Sequence, residues 1–562
     1  MAKTTPRKPP LDPALAAAAR AWASQDPDRA TRAELTQLLA DAKAGRSGAR
    51  ETLAEDFAGP LAFGTAGLRA ALGPGPARMN RVVVTQTAAG FADWLLANGA
   101  VRGAKVLIGY DARHKSDEFA RDTAEVMAGG GLTPLLTDRP VPTPVLAFGV
   151  THLGCTAGVQ VTASHNPAAD NGYKVYLGDG SQIIPPTDEQ IAACISARAA
   201  QPLAAIARGK KITLVGSELV ASYAATAAAL LDGTDTRQLV WAYTAMHGVG
   251  AATMHAVVSS GGLPTPVMVD AQINPDPDFP TVPFPNPEEP GAMDLVISLA
   301  RARNADIAIA TDPDADRAGV AVKVDGEWRR LTGDEVGALL GDDALRRGTL
   351  GTFAASLVSS TLLSTMARLA GREYATTLTG FKWIGRVPNL AFGYEEAIGY
   401  CCDPANVRDK DGISATVALL RLVAELKAQG LTIADRLAQI DKEFGVHATS
   451  NHSVRVAELS QIGAMMASLR ANPPTDLAGE TVVTTDLLDG GDLPPTDGML
   501  FAGPTVQVVV RPSGTEPKLK CYCEARRPVE EARRNLKASR AAAAQTLDVL
   551  WGTIKEILDA PV

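Results

Sequence analysis

The sequence predicts an α/β protein of several domains, with parallel or mixed sheets covered by helices. Short β-branched runs alternate with alanine-rich helical stretches over most of the chain, and strands that alternate with helices pair in parallel under helical layers. The chain has 562 residues, enough for about three to four domains. Hydrophobic residues make up 46% and charged residues 21%, an ordinary globular balance that can fill several cores.

Residues 1–10 are basic and proline-bearing, a composition that predicts disorder. Residues 11–57 read as helical. Thr31-x-x-Glu34 has the form of a capping box, and Leu35, Leu38, Leu39 and Ala42 follow on one helical face. Strands are predicted over 106–111, 158–164, 212–216, 239–244, 267–270, 306–312, 351–356 and 390–395, with a hairpin over 322–328 turning at Asp325-Gly326. Residues 264–290 are crowded with proline and, apart from 267–270, predict a fixed extended loop. Residues 506–525 read as two strands around a Gly/Pro turn, followed by a long helix from about 528. In the second strand Leu519, Cys521 and Cys523 share one face, which places those cysteines in a core.

The formal charge is −8, from 54 basic and 62 acidic residues, which argues against nucleic acid as a bulk partner and leaves room for a local basic pocket. Six cysteines occur without CxxC spacing, as expected of reduced thiols in a cytoplasmic protein. The alanine run near the start is broken by Arg20 and does not form a secretory signal. No stretch approaches about 18 uninterrupted apolar residues, so no membrane span is expected.

Four segments carry candidate chemistry. In VTASHNPAADNGYKVY (161–176) a β-branched run gives way to a loop at Ser164, the position where open α/β sheets place active groups. Asn166-Pro167 predicts one turn, and Asn171-Gly172 a second that brings Lys174 back towards the serine. A polar loop without a role is equally compatible with the residues alone. No G-x-S-x-G elbow surrounds Ser164, and adjacent Ser164 and His165 would point apart if extended, so a serine hydrolase is excluded.

The second segment, ATDPDADR (310–317), alternates Asp312, Asp314 and Asp316 directly after a strand. Three hard oxygen donors suit Mg²⁺ or Ca²⁺. An EF-hand would need glycine and glutamate where Arg317 and Lys323 stand. Three repelling carboxylates after a buried strand call for a cation, and the pattern fits metal-assisted phosphoryl transfer. The third segment, FGYEEAIGY (392–400), ends an apolar strand with Glu395 and Glu396. These can accept hydrogen bonds from sugar hydroxyls or form a plain strand-end charge pair. In the fourth, VVVRPSGTEPKLK (508–520), Arg511 can grip a phosphate, Ser513 and Thr515 add hydroxyls, and the backbone around Gly514 adds N–H donors.

Gly248-x-Gly250 after a strand, with Asp270 further on, has part of a dinucleotide fingerprint, but Thr253 stands where the third glycine belongs. No Walker A pattern occurs. His247 reads either as a cleft residue or as a structural histidine.

These four segments in this order resemble the α-D-phosphohexomutase superfamily. FGTAGLR (63–69), GYDAR (109–113) and TGFKWIG (379–385) also match its pattern. The resemblance covers roughly residues 60–525 and is strongest to the phosphoglucomutase-2/phosphopentomutase branch. It implies four domains around a central cleft: three related mixed α/β domains, over 58–210, 211–328 and 329–446, and a smaller C-terminal α+β domain, 447–562, after a helical extension, 1–57. It implies a phosphoserine at Ser164, and Mg²⁺ held by Asp312, Asp314, Asp316 and a phosphoserine oxygen. Lys174, able to move protons if its pKa is lowered in the closed cleft, and His165 would be candidates for proton transfer and phosphate contact, and Arg69 and Arg317 would bind the transferring group. Lys382 and Glu395 would recognise the sugar, and Arg511, Ser513, Gly514 and Thr515 the non-reacting phosphate.

The implied reaction interconverts sugar 1- and 6-phosphates, glucose first, through a sugar bisphosphate that also serves as activator. Ribose, deoxyribose or mannose phosphates are the alternatives, and a non-catalytic sugar-phosphate-binding relative is the rival from another class. Partners would be small sugar phosphates, with the chain a monomer or dimer. One departure stands out: Ala397 occupies a place where several relatives carry serine, which removes a hydroxyl contact to the sugar.

Overall fold

The computed structural model describes residues 11–64, 67–456, 459–513 and 518–559. One compact unit comprises the described residues up to Gly319 together with Ala405–Val417; a second comprises Val320–Pro404 and the described residues from Ala418 on.

The first unit opens with three helices, Pro13–Gln25, Arg29–Ala44 and Ala49–Asp56. Leu35, Leu39, Ala42 and Leu53 bury against Ala16 and Ala19, as the helical spacing predicts. The capping box expected at Thr31 does not form. The second helix starts earlier, capped by the Asp28 side chain on Ala30 N–H, and Thr31 Oγ1 donates instead to Asp26 at 2.6 Å. Asp28 is the better cap because its carboxylate reaches the free N–H groups of the first turn.

A six-stranded sheet follows, in the order Leu68–Ala71, Asp170–Leu177, Ala157–Val161, Lys105–Tyr110, Thr133–Thr137, Thr213–Val215. The last four run parallel, while Asp170–Leu177 lies antiparallel to both its neighbours. Every residue of Ala157–Val161 is buried, as expected of a strand covered on both faces. Asn171-Gly172 is not a turn, contrary to expectation. Both residues lie inside strand Asp170–Leu177, with Gly172 opposite Arg69. A Cβ there would sit 2.5 Å from Thr162 O and 2.8 Å from Leu68 O, so this glycine serves close strand approach. The reversal happens earlier, over residues 164–169.

Further along, Trp241–Thr244 lies between Val267–Met268 and Ile307–Thr311, all parallel. The proline-rich stretch after Met268 is a succession of turns rather than an extended loop, with Phe279 and Val282 buried.

In the second unit the hairpin Ala318–Val324/Glu327–Arg330 turns at Asp325-Gly326 as expected, the unit taking up the hairpin from Val320 on. A four-stranded sheet has the order Glu373–Thr377, Thr352–Ser356, Leu390–Glu395, Gly399–Cys401. A five-stranded antiparallel sheet runs Val446–Arg455, Lys518–Arg527, Val506–Pro512, Met499–Ala502, Val483–Asp486, and helix Leu536–Asp559 packs on it through Leu547, Leu550 and Ile554. Leu519, Cys521 and Cys523 are in that core, where burial pushes both thiols up to about 12. Among the described residues no helix is long and apolar enough to cross a membrane.

Candidate active site

In the first unit, strand Ala157–Val161 delivers Ser164 to a turn with φ of 53°, a left-handed conformation that costs a non-glycine residue about 1–2 kcal/mol. Thr162 Oγ1 accepts from Ser164 N–H at 2.9 Å, and Ser164 Oγ donates to Asp312 Oδ2 at 2.9 Å. Because the backbone here is not extended, Ser164 and His165 do not diverge: His165 Nδ1 lies 3.8 Å from the same carboxylate oxygen.

Asp312, Asp314 and Asp316 follow strand Ile307–Thr311 and are fully buried. Each offers an oxygen within 4.8 Å of the others. Lys174 Nζ donates to Asp314 and Asp316, both at 2.7 Å. Lys410 Nζ lies 3.3 Å from Asp316. Thr143 Oγ1 donates to Asp314 Oδ2, and Arg317 N–H to Asp312 Oδ1 at 3.0 Å. Asp314 Oδ1 and Asp316 Oδ1 are buried and accept no hydrogen bond. Native interiors rarely leave such groups unpaired. Two buried carboxylate oxygens without a hydrogen bond, with Arg317 Nε 3.7 Å from Asp316 Oδ1, fit a hard divalent cation in this all-oxygen donor set.

The charges are unevenly matched. Burial, then Asp314 and Asp316, drive Asp312 well above the usual carboxylate range. Burial would raise Asp316 too, but Lys174, Lys410 and Arg317 outweigh it and hold the group below its ordinary value. Burial, then Arg317 and Arg69, push His165 well below the ordinary imidazole value, so the ring is neutral near pH 7. The condition of a lowered Lys174 pKa is not met. Burial pulls it down, yet Asp314 and Asp316 pull harder the other way, and the ammonium stays charged. Arg69 donates to Asn166 Oδ1 at 3.1 Å.

Neighbouring glycines shape the metal loop. A Cβ on Gly248 would meet Pro313 backbone at 2.3 Å, and one on Gly412 would meet Arg317 O at 2.4 Å. The glycines that resemble part of a dinucleotide fingerprint therefore serve packing: Val249 N–H donates to Pro313 O at 2.8 Å. His247 hydrogen-bonds Thr281 at 2.7 Å.

In the second unit, Glu395 ends strand Leu390–Glu395 and Lys382 sits in the short helix Phe381–Ile384. Arg511 donates to Thr379 Oγ1 at 2.6 Å, joining the expected phosphate grip to the segment that carries Lys382. Glu396 accepts from Ser356 and Ser359 at 3.1 and 3.3 Å, which gives it a structural partner set. Ser513 N–H donates to Lys518 O; Gly514 and Thr515 lie outside the described residues.

Two residues escaped the sequence reading. Arg113 was visible only as a motif letter, and Lys410 not at all. The run Asp409-Lys410-Asp411-Gly412 ahead of the apolar helix Gly412–Ala428 was the available signal, since consecutive charges rarely precede a buried helix without a partner.

The four domains of one family match in order. "Phosphoglucomutase/phosphomannomutase, alpha/beta/alpha domain I" covers residues 60–202, domain II 221–326, domain III 332–442 and the C-terminal domain 454–542. A probable phosphomannomutase of Haemophilus influenzae is 46% identical over 80% of this chain and 93% of its own. The chain belongs to the phosphoglucomutase/phosphomannomutase family. It is a phospho-sugar mutase, an isomerase that transfers phosphate intramolecularly. The human phosphopentomutase is 34% identical over 90% of each chain. The crystal structure of a putative phosphomannomutase from Thermus thermophilus superposes with a TM-score of 0.66 at 26% identity, covering 87% of this mutase and 99% of that chain. The α/β architecture expected from sequence is thus the family's own, three alpha/beta/alpha domains and a C-terminal domain.

Proposed function

We propose that this mutase interconverts the 1- and 6-phosphates of a hexose, glucose first, through a phosphorylated Ser164 and a sugar bisphosphate. The observation that carries the reading is Ser164 Oγ at 2.9 Å from Asp312 inside a buried aspartate triplet. Phosphoserine brings about −2 charge to a place that already holds three carboxylates. Asp312, Asp314, Asp316 and a phosphoserine oxygen would hold Mg²⁺. When bound, the ion supplies positive charge to the carboxylates and the phosphoryl oxygens.

In the first half-reaction the phosphorus–Oγ bond of phosphoserine breaks as a bond forms to a sugar hydroxyl oxygen. The hydroxyl proton passes to neutral His165, and Lys174, held cationic, supplies one to the leaving Oγ. In the second half-reaction the bisphosphate, reoriented, returns its other phosphoryl group to Ser164 and the proton movements reverse. Arg69 and Arg317 offset charge on the transferring group. Arg511, Ser513, Gly514 and Thr515 are assigned to the non-reacting phosphate, and Lys382 and Glu395 to the sugar.

A second reading, pentose 1- and 5-phosphates, is favoured by the likeness to a probable phosphoribomutase of Schizosaccharomyces pombe, 36% identical over 92% of this chain and 94% of its own. The lost hydroxyl at Ala397 points the same way. The test is a coupled assay across the 1-phosphates of glucose, mannose, ribose and deoxyribose with bisphosphate and Mg²⁺ present, beside mass spectrometry of Ser164. The hexose reading expects the highest kcat/KM with glucose 1-phosphate. Preference for ribose or deoxyribose overturns the hexose assignment, and turnover by Ser164→Ala overturns the phosphoserine.

A further inference from the structure

We propose that Arg113 is a positioning residue for phosphoryl transfer, the group that sets Ser164 Oγ against the aspartate triplet. Arg113 is 4% exposed, and its guanidinium satisfies several carbonyls of the segment that follows Ser164. Nη2 donates to the carbonyls of Ser164 at 2.7 Å and Asn166 at 2.5 Å, and Nη1 to those of Pro167 at 2.8 Å and Asp170 at 3.2 Å. Four carbonyls between Ser164 and Asp170, three in the turn and one at the start of the next strand, thus converge on one planar cation. Phe279 covers that cation with its ring centroid 4.9 Å from Cζ, and Asp111 Oδ2 lies 3.4 Å from Nε.

The same Asp111 extends the control to the other side of the serine. Its Oδ2 accepts from Thr162 Oγ1 at 2.6 Å, and that hydroxyl oxygen accepts from Ser164 N–H at 2.9 Å. The Ser164 peptide groups are therefore held at both ends, carbonyl by Arg113 and N–H through Thr162 by Asp111. The residue between them has the strained φ of 53°. A conformation of this kind persists only where its surroundings over-determine it. The inference rests on Ser164 being the phosphoryl carrier, but adds a role for a side chain that holds the serine through its backbone carbonyl and makes no hydrogen bond to Oγ. A fork of five N–H donors can bridge four carbonyls in a plane, whereas an ammonium with three cannot.

The experiment is rapid-quench transfer of labelled phosphate from glucose 1,6-bisphosphate to dephosphorylated full-length enzyme, for wild type, Arg113→Ala and Arg113→Lys, with Ser164→Ala as the labelling control. A misplacement of the nucleophile by about 1 Å costs on the order of 10²-fold in rate. Both Arg113 variants are expected to transfer about that much more slowly, with KM for sugar phosphate within about threefold of wild type, and added guanidinium should recover Arg113→Ala but methylammonium should not. Wild-type transfer rates in both variants would overturn the proposal. So would a loss that follows thermal stability in both variants and does not respond to guanidinium. If wild type labels somewhere other than Ser164, the phosphoserine assignment fails instead, and the two failures are distinguishable.

Discussion

Replacing Gly248 by alanine changes no charge and no hydrogen-bonding group, yet it should weaken the metal site. The new Cβ would lie 2.3 Å from both the Cα and the carbonyl oxygen of Pro313, between Asp312 and Asp314. Both atoms are backbone, so no side chain can swing aside. Restoring ordinary contact at 3.4 Å needs a shift of about 1 Å in the metal loop or in the turn that bears residue 248. Hard-cation ligands tolerate displacements of only about 0.2 Å. Perturbed support of metal ligands typically lowers affinity by about 10–100-fold, and that is the expected rise in Mg²⁺ Kd. The measurement is a Mg²⁺ titration of activity beside Mn²⁺ binding by electron paramagnetic resonance, with circular dichroism to verify folding. Turnover should recover in part at high Mg²⁺, because the ligands remain. A folded Gly248→Ala protein with wild-type metal affinity would refute the view that this glycine shapes the metal loop.

Three further outcomes are expected. Lys174→Met strips two buried aspartates of their shared cation; breaking such a pair costs about 3–5 kcal/mol. The loss should fall near the lower end because Lys410 still reaches Asp316, and Mg²⁺ should offset the stability loss without restoring turnover. A urea midpoint equal to wild type in the absence of metal would count against the ion-pair assignment. Asp334, raised to about 6 chiefly by burial although Ser360 N–H, Thr449 and Tyr394 donate to it, holds its proton more tightly folded than unfolded. Its contribution to stability is therefore present at low pH and is lost as pH rises through about 4 to 6. Relative to wild type, Asp334→Asn should gain about 2 kcal/mol between pH 4.5 and 7, read from urea unfolding at the two pH values; a pH-independent difference refutes the assignment. Arg511→Ala should raise KM for sugar phosphate at least tenfold, since a charge-assisted pair to phosphate contributes about 1.5–3 kcal/mol, and leave Mg²⁺ affinity unchanged. Unaltered KM would remove Arg511 from the phosphate grip.

Much of the site was legible because its chemistry is local in the chain. Asp312, Asp314 and Asp316 alternate within one loop, so their convergence follows from spacing after a strand. The β-branched run ending near Ser164 marked the end of a strand in the same way. Errors came where a local rule met a stronger nonlocal one. Asn171-Gly172 has turn chemistry, but Leu68–Ala71 pairs alongside it and requires a residue without Cβ, so the pair lies in a strand. Thr31 has the form of a cap, but Asp28 reaches the free N–H groups first. The sign of the Lys174 shift is not legible in the sequence, because burial acts on the lysine alone whereas two aspartates about 140 residues away decide it.

From sequence alone came the layered α/β class, the acidic triplet, the serine at a strand end and the donor-rich loop around Arg511. Periodicity, β-branching and the spacing of like charges are properties of neighbouring residues, and they survive in a one-dimensional reading. Tertiary structure alone decided the hydrogen bond by which Ser164 Oγ meets Asp312, that Arg113 gathers four carbonyls between Ser164 and Asp170, and that Lys410 joins Lys174 at Asp316. Those contacts span from about fifty to about 150 positions. Hydrogen bonding and desolvation depend on distances of a few ångströms, which chain order does not encode.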